Sequence, residues 1–140
     1  MTLTPVNAGW IEVICGSMFS GKTEELIRRL RRAQIAQMSI AIFKPKIDSR
    51  FSEGHIVSHN RIKMESHIID ESNDILDIAK EHEVIGIDEA QFFDNSLINT
   101  CKELANSGKR VVVAGLDKDY RGLPFGPMPA IMCEADYLDK

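Results

Sequence analysis

The amino-acid sequence predicts an α/β fold, a three-layer domain in which a central, mostly parallel sheet is flanked by helices. Short apolar runs typical of buried strands alternate with segments whose apolar residues recur at helical spacing. Helical crossovers between such strands place the strands parallel to one another. The length of 140 residues suits one compact domain and is short for two, so residues 1–140 are predicted to form a single domain.

Apolar runs rich in β-branched residues mark the predicted strands. Those of the central sheet are 10–15, 39–43, 84–87 and 110–114. The second should end at Pro45, because proline cannot donate a hydrogen bond to a neighbouring strand. Residues 46–63 form a long polar excursion of the kind that compact domains keep for function, so we expect substrate contacts there. Residues 64–69 can pair as a further strand.

Helical periodicity marks the segments between the strands. The predicted helices are 22–37, 72–82 and 95–106, with a short one at 130–137 after a loop rich in glycine and proline at 115–129. The apolar positions that share one side of the first helix are Leu26, Ile27, Leu30 and Ala33. The basic run Arg28–Arg32 falls largely elsewhere and is predicted to be a solvated face. Ser72 and Asn73 can cap the second helix.

Composition narrows the classes of function. A formal net charge of −4 disfavours a general nucleic-acid-coating protein, so no nucleic-acid partner is expected. The N-terminal residues show no charged segment followed by an apolar signal core, and no apolar run approaches the roughly 20 residues that span a bilayer, so we expect a soluble, cytoplasmic protein without a membrane partner. The three cysteines, Cys15, Cys101 and Cys133, form no C-x-x-C pair and are predicted to be buried, reduced thiols rather than zinc ligands.

The strongest motif lies between the first strand and the first helix. Residues Gly16 to Thr23 satisfy G-x-x-x-x-G-K-[ST], which in this context predicts a P-loop and hence a P-loop NTPase-like domain. The predicted phosphate-binding residues are Gly16, Ser17, Met18, Phe19, Ser20, Gly21, Lys22 and Thr23. Backbone N–H groups and the helix N-terminus would face phosphate oxygens. Lys22 would bridge the β- and γ-phosphates, and the Thr23 hydroxyl would bind Mg²⁺.

A second motif ends the predicted strand at 84–87. Asp88 and Glu89 follow it directly, where open α/β sheets place their ligands, so the segment resembles a Walker B motif. Asp88 would help to hold Mg²⁺, and Glu89 would accept a proton from an attacking hydroxyl or water. A helix-capping acidic pair is the alternative interpretation of the same two residues.

Four ordered blocks carry a resemblance to a known family. They are Gly16–Thr23, Phe43–Arg50, Asp88–Phe93 and Ala114–Gly126, and together they resemble the thymidine kinase family of bacterial and human cytosolic enzymes. The resemblance runs from about Gly9 to Lys140. It implies ATP- and Mg²⁺-dependent transfer of the γ-phosphate to the 5′-hydroxyl of thymidine, with deoxyuridine as a weaker acceptor, in nucleotide salvage for DNA synthesis.

The same resemblance implies roles for individual residues. Glu89 is implied as the catalytic base. The ATP-site residues implied beyond the P-loop are Asp48, Arg50, Asp88, Ala90 and Gln91. Arg50 would act as a cationic clamp on the transferring group. The implied thymine pocket consists of Met18, Phe92 and Phe125, with ordinary core packing as the alternative for the two phenylalanines.

The chain departs from the family pattern after residue 140. In the family a zinc-binding lasso domain follows the P-loop domain and closes over thymidine, and the ligands of its structural Zn²⁺ would lie outside this chain. We therefore expect a fragment with weak or absent kinase activity, because phosphoryl transfer depends on positioning the acceptor and excluding water. The resemblance also implies a homodimer or homotetramer.

Two other functions remain open from the sequence. One is a nucleotide-binding module without kinase turnover, suggested by the missing lasso domain. The other is a recombination-type, DNA-dependent ATPase, suggested by the two nucleotide motifs together with the basic run Arg28–Arg32.

Overall fold

The computed structural model describes residues 8–17, 20–46, 55–57 and 63–140. The strands, in chain order, are β1 Trp10–Gly16, β2 Ile40–Pro45, β3 His55–Val57, β4 Lys63–Glu65, β5 His67–Ile69, β6 Val84–Ile87, β7 Arg110–Leu116 and β8 Tyr137–Asp139. The helices are α1 Lys22–Ile35, α2 Asp74–Ala79, α3 Leu97–Asn106 and α4 Met128–Glu134. A 3₁₀ turn covers Ala90–Phe92.

Six of the strands form one sheet in the order β5-β2-β6-β7-β1-β8. Every pairing within it is parallel, which confirms the predicted α/β fold. The strands β6 and β7 are apolar and almost wholly buried, as expected for a parallel sheet covered on both faces. Because parallel strands share their direction, the carboxyl ends of β1, β6 and β7 meet at one edge of the sheet.

Two apolar layers lie on opposite faces of this sheet. On one face, the predicted apolar side of α1 packs over β1, β2, β6 and β7. Leu30 lies so close to β6 that a Cβ at Gly86 would stand 2.6 Å from Leu30 Cδ1, so a larger residue at this position would force the Leu30 side chain to shift. On the other face, α2, α3 and α4 bury their apolar sides, with Ile75, Leu97 and Ile131 fully enclosed.

Several predicted boundaries are wrong, each for a local reason. The first helix ends at Ile35 rather than at 37, because Gln37 adopts a left-handed backbone with φ of 64°. The second is shorter than predicted, and neither Ser72 nor Asn73 makes a side-chain cap. The Ser72 hydroxyl instead donates a hydrogen bond of 2.7 Å to Asp94, which precedes α3.

The segment 64–69, predicted as one strand, belongs to two strands in different sheets. β4 pairs with β3 in an antiparallel two-stranded sheet, whereas β5 pairs with β2 in the central sheet. The chain changes sheets at Ser66, which lies in neither strand. The strand predicted at 39–43 runs on to Pro45 and stops there, as proline requires.

The C-terminal segment also differs from its prediction. The helix expected at 130–137 starts earlier, at Met128, and Tyr137 lies in β8. Asp136 starts this edge strand, because its carboxylate accepts a hydrogen bond from the Ile11 amide and its own amide donates to the Ile11 carbonyl. Cys15 and Cys101 are buried free thiols as predicted, but Cys133 is exposed because it lies on the side of α4 opposite Ile131.

Within the described residues, no helix is both long enough and apolar enough to cross a membrane.

Candidate nucleotide-binding site

The P-loop connects the end of β1 to the start of α1 at the carboxyl edge of the sheet. Gly21 caps α1 in a left-handed conformation with φ of 84°, which a residue with a side chain adopts only under strain. The first turn of α1 begins directly at the loop, so the positive end of the helix dipole faces it. Of the predicted loop residues, Met18 and Phe19 lie outside the described residues.

Lys22 lies across the mouth of this loop. Its ammonium donates hydrogen bonds to the Ser17 carbonyl at 2.5 Å and to the Ser20 hydroxyl at 3.3 Å. Partial burial lowers the pKa of Lys22, although the nearby carboxylates of Glu89 and Asp88 act in the opposite direction. The ammonium is therefore already directed at the space that the loop encloses.

The side chains of Thr23, in α1, and Asp88, directly after β6, approach each other at the carboxyl edge of the sheet. The Thr23 hydroxyl is 3.4 Å from both carboxylate oxygens of Asp88. Asp88 is only 6% exposed, and burial, together with the charge of Glu89, raises its pKa to about 6. A buried carboxylate and a hydroxyl are oxygen donors of the kind that Mg²⁺ prefers.

These two residues fit a nucleotide-bound cation rather than a cation held by the protein alone. No group of three or more His, Cys, Asp or Glu side chains among residues 8–17, 20–46, 55–57 and 63–140 is arranged to hold a metal. Mg²⁺ in nucleotide sites is typically bound by one or two protein oxygens, with phosphate oxygens and water completing its shell. The donor set of Thr23 and Asp88 matches that pattern.

Glu89 lies in the left-handed region of the backbone map, with φ of 53° and ψ of 41°. Such a conformation is unfavourable for a residue with a side chain and is often found at functional sites. Gln91 holds the carboxylate in place, because its amide group donates a hydrogen bond of 2.9 Å to Glu89 Oε2. The side-chain oxygen of Gln91, Oε1, accepts a hydrogen bond of 3.0 Å from the backbone amide of Leu116 at the end of β7.

Gln91 and Ala90 are both buried in the 3₁₀ turn. The Ala90 side chain belongs to the apolar core, and both polar ends of Gln91 have protein partners. The geometry therefore favours an indirect role for Gln91, through Glu89, and the predicted ATP contacts of these two residues stay predictions.

An aromatic pair joins the 3₁₀ turn that follows Glu89 to the loop after β7. Phe92 and Phe125 meet edge to face, with ring centroids 5.2 Å apart and planes at 86°. Phe92 is 44% exposed, which favours ligand contact over core packing for that ring. The loop carrying Phe125 approaches so closely that a Cβ at Gly126 would stand 2.3 Å from the Gln91 carbonyl oxygen.

A cleft of about 650 Å³ opens on the other side of the P-loop. Its walls come from the P-loop, from the first turns of α1 and from the carboxyl ends of β7 and β8. Asp117 accepts a hydrogen bond of 2.7 Å from the Lys140 ammonium, which lowers the pKa of Asp117. Lys118 and Asp139 also line the cleft.

The basic run on α1 contains residues of two kinds. Arg28 is 54% exposed and pairs with Glu25 of the same helix at 2.6 Å. Arg29 is largely covered and contacts carboxylates from three different elements. Hydrogen bonds from Arg28 and Arg29 lower the pKa of Glu25 to about 2. The prediction of a solvated face therefore fails for Arg29.

The sequence predicted the side of the site formed by the P-loop and the two carboxylates, but it did not predict the cleft beside β8. The structure brings the P-loop residues Lys22 and Thr23 together with Asp88 and Glu89, as predicted. Asp48 and Arg50 lie outside the described residues. The cleft residue Asp139 belongs to no motif, and Lys118 lies in the block Ala114–Gly126 without a role of its own; the sheet order brings both beside the P-loop.

Comparisons with known proteins agree with this geometry. The family model described as "Thymidine kinase" matches residues 9–140. A thymidine kinase of Rhodothermus sp. (strain ITI 518) is 58% identical over 134 residues, which cover 96% of this chain and 63% of that protein. A thymidine kinase of Bacteroides fragilis is 59% identical over 132 residues, which cover 94% of this chain and 66% of that protein. The chain thus spans just under two thirds of the length of these curated relatives.

Solved structures of other proteins share the fold. The Legionella pneumophila ATPase DotB superposes with a TM-score of 0.54 at 13% identity, over 90% of this chain and 34% of that one. The genome packaging NTPase B204 from Sulfolobus turreted icosahedral virus 2, in complex with ATP-gammaS, gives 0.52 at 15% identity, over 93% and 73%. The superpositions show a common fold, and at identities this low they show nothing more specific.

Proposed function

Because the chain belongs to the thymidine kinase family, we propose that the protein transfers the γ-phosphate of ATP to the 5′-hydroxyl of thymidine in a Mg²⁺-dependent reaction. The observation that carries this proposal is the meeting of Thr23, Asp88 and Glu89 at one sheet edge beside the P-loop. Deoxyuridine is proposed as a weaker acceptor. Family membership is also the basis for proposing a cytoplasmic homodimer or homotetramer.

The donor phosphates are assigned to the P-loop and Lys22. The N-terminus of α1 favours negative charge, and the Lys22 ammonium is already directed over the loop. Thr23 and Asp88 would hold Mg²⁺, which when bound offsets charge on the β- and γ-phosphates. Asp48 and Arg50 are proposed to lie over the same phosphates, with Arg50 stabilising the transferring group.

We assign to Glu89 the role of accepting the proton of the acceptor's 5′-hydroxyl. Its carboxylate follows directly on Asp88, so a hydroxyl placed in line with the γ-phosphate would lie near both the cation site and this base. The Gln91 amide occupies one side of Glu89 Oε2, which limits the directions in which the carboxylate can turn. Glu89 would accept the 5′-hydroxyl proton as the new P–O bond forms and the bond to ADP breaks.

The thymine base is assigned to the aromatic pair. Phe92, in the turn that follows Glu89, exposes an apolar ring that contacts Phe125, and a flat base gains from contact with aromatic faces and edges. Met18 is proposed to contribute from the P-loop.

Replacing Glu89, the proposed catalytic base, distinguishes nucleotide binding from phosphoryl transfer. In the full-length gene product, Glu89→Gln should leave the Kd for MgATP within about twofold and lower kcat by about two orders of magnitude or more, because the amide cannot accept the proton. The matched control is Glu103→Gln, an exposed position on α3, which should change neither quantity. Unchanged turnover in Glu89→Gln would remove this residue from the role of base.

Measurements of MgATP binding and of turnover also distinguish the kinase from the two other candidate functions, a nucleotide-binding module and a DNA-dependent ATPase. A nucleotide-binding module would bind MgATP without forming thymidine monophosphate. A DNA-dependent ATPase would hydrolyse ATP faster when DNA is added. We expect no such stimulation, because Arg28 and Arg29 are already paired with carboxylates.

A further inference from the structure

The loop after β7 folds into a small hairpin with Phe125 at its base. We propose that Asp119, at the tip of this hairpin, is a positioning residue for the acceptor nucleoside, because it orders the hairpin and so holds Phe125 against Phe92 before thymidine binds. The inference rests on the proposed kinase function, since it names what orients the aromatic pair to which the thymine base is assigned.

Backbone hydrogen bonds pair the two sides of the hairpin. The Phe125 amide donates to the Asp117 carbonyl at 3.1 Å, and the Asp119 amide donates to the Leu123 carbonyl at 2.8 Å. An antiparallel β-bridge lies between these two bonds. The hairpin therefore covers residues 117–125, and its first and last residues are joined directly after the end of β7.

The tip of the hairpin is a tight turn from Asp119 to Gly122. The Gly122 amide donates a hydrogen bond of 2.9 Å to the Asp119 carbonyl, and Gly122 has a left-handed backbone with φ of 79°. Aspartate at the first position of such a turn, followed by a left-handed glycine, is typical of three-residue hairpin loops. The sequence Asp-Tyr-Arg-Gly at 119–122 therefore favours this turn locally.

The carboxylate of Asp119 stabilises the same turn from its inner side. Its Oδ1 atom accepts hydrogen bonds from the backbone amides of Arg121 at 2.8 Å and of Leu123 at 3.1 Å. Its Oδ2 atom accepts a hydrogen bond of 2.8 Å from Arg121 Nη2. The Asp119 side chain is only 12% exposed, whereas that of Arg121 is 58% exposed. Because aspartate side chains stabilise turns through such amide contacts, Asp119 is the residue that orders the tip.

The base of the hairpin contacts the 3₁₀ turn that follows Glu89. The Phe125 ring meets the Phe92 ring edge to face, and the next residue, Gly126, lies almost against the Gln91 carbonyl oxygen. The direction of the Phe125 ring therefore depends on how firmly the hairpin is ordered above it. If the tip loses its order, the hairpin has to be ordered again when thymidine binds, and that ordering lowers the affinity.

The test compares thymidine binding with turnover in the full-length gene product. Asp119→Ala removes the acceptor of both amides and of the Arg121 guanidinium. We expect the KM for thymidine, and its Kd from calorimetry, to rise about tenfold, because the hairpin is then ordered only on binding. Both kcat and the Kd for MgATP should stay within about twofold, since losing an interaction shared by ground and transition states raises KM alone. A variant that merely weakened the fold would lower the melting temperature without separating KM from kcat.

Three further variants identify the contact responsible. Asp119→Asn keeps an oxygen that can accept from the two amides, so it should hold the KM for thymidine within about twofold of the original value. Arg121→Gln removes only the exposed ion pair and should leave that KM unchanged. Gly122→Ala places a Cβ with no atom within 4 Å but strains the left-handed backbone, so it should raise the KM for thymidine even if Asp119→Ala fails to fold.

Hydrogen exchange followed by NMR measures the order of the hairpin without thymidine. In Asp119→Ala, the amides of Leu123 and Phe125 should exchange faster by about tenfold or more, whereas the Leu116 amide in β7 should not change. Unchanged exchange at Phe125, or an unchanged KM in a protein that phosphorylates thymidine, would overturn the inference. An original protein that does not phosphorylate thymidine would overturn the proposed function instead, and the exchange at Phe125 would still decide whether Asp119 orders the hairpin.

Discussion

Asp88 and Glu89 are neighbours in the chain, yet their surroundings give them different properties. Asp88 is buried at the end of β6, where burial and the charge of Glu89 raise its pKa to about 6. Glu89 is half-buried and is turned away from the strand direction by its left-handed backbone. A cation beside Asp88 would offset the buried charge, whereas the half-buried Glu89 would remain accessible to the proposed acceptor. Adjacent carboxylates can thus serve two functions.

Gln91 is the residue through which the sheet orients Glu89, and its loss should be visible in kcat. Gln91→Met keeps most of the volume but removes both hydrogen bonds, to Glu89 and from the Leu116 amide. We expect kcat to fall on the order of tenfold through misplacement of the base, with the Kd for MgATP unchanged. The unpaired Leu116 amide should cost ~1–3 kcal/mol of unfolding free energy.

Steady-state kinetics and thermal unfolding check this prediction together. Gln34→Met, at an exposed position on α1, serves as the control. An unchanged kcat in a Gln91→Met protein that is measurably destabilised would show that Gln91 supports the fold and not the base.

At the scale of elements, Asp94 joins α2 to α3. Its carboxylate accepts hydrogen bonds from the amide and hydroxyl of Ser72 before α2, and from Ser96 before α3. Burial would raise the pKa of Asp94, but the hydrogen bonds from Ser96 and Ser72 outweigh it and lower the pKa to about 2. One side chain therefore joins the segments that precede α2 and α3, and α2 does not have the side-chain cap that the sequence predicted at Ser72 and Asn73.

Removing this carboxylate should weaken the connection between the segments that precede α2 and α3. We expect Asp94→Ala to lower the unfolding free energy at pH 7 by ~1 kcal/mol, as for the loss of side-chain hydrogen bonds. Because the folded pKa lies below the unfolded value of about 3.9, the contribution is present above pH 4 and disappears as the pH falls towards 2. Denaturant unfolding at several pH values should show the variant and the original protein converging in acid.

The control for this prediction is Asp77→Ala. Asp77 is exposed on α2 and makes only a long surface pair with Lys80 at 3.5 Å. A difference between Asp94→Ala and the original protein that stays constant down to pH 2 would contradict the assigned pKa.

The elements that the sequence predicted well are those whose burial shows in their composition. β6 and β7 are continuous apolar runs, and α1 carries one apolar side, so their place between layers could be inferred. β8 has no such signal, because Tyr137 and Leu138 remain exposed at the edge of the sheet. The change of sheet at Ser66 was equally hidden, since no glycine or proline marks a break between β4 and β5.

At the scale of the whole molecule, the parallel sheet explains why half of the site was predictable. The P-loop and the Asp88–Glu89 pair each follow a strand, and parallel strands deliver their ends to the same edge. The cleft beside β8 is lined instead by residues such as Asp117, Asp139 and Lys140, which the strand order brings beside the P-loop. No local pattern marks such a contact before the strand order is known.

The central claim is that this sheet edge transfers phosphate from ATP to thymidine, and product identity tests it most directly. The measurement is phosphorus NMR of the full-length gene product incubated with ATP, Mg²⁺ and thymidine. We predict equal amounts of ADP and thymidine 5′-monophosphate, with little inorganic phosphate, and no consumption of ATP when thymidine is omitted. Release of inorganic phosphate without thymidine monophosphate, or no reaction in a protein that binds MgATP, would contradict the claim.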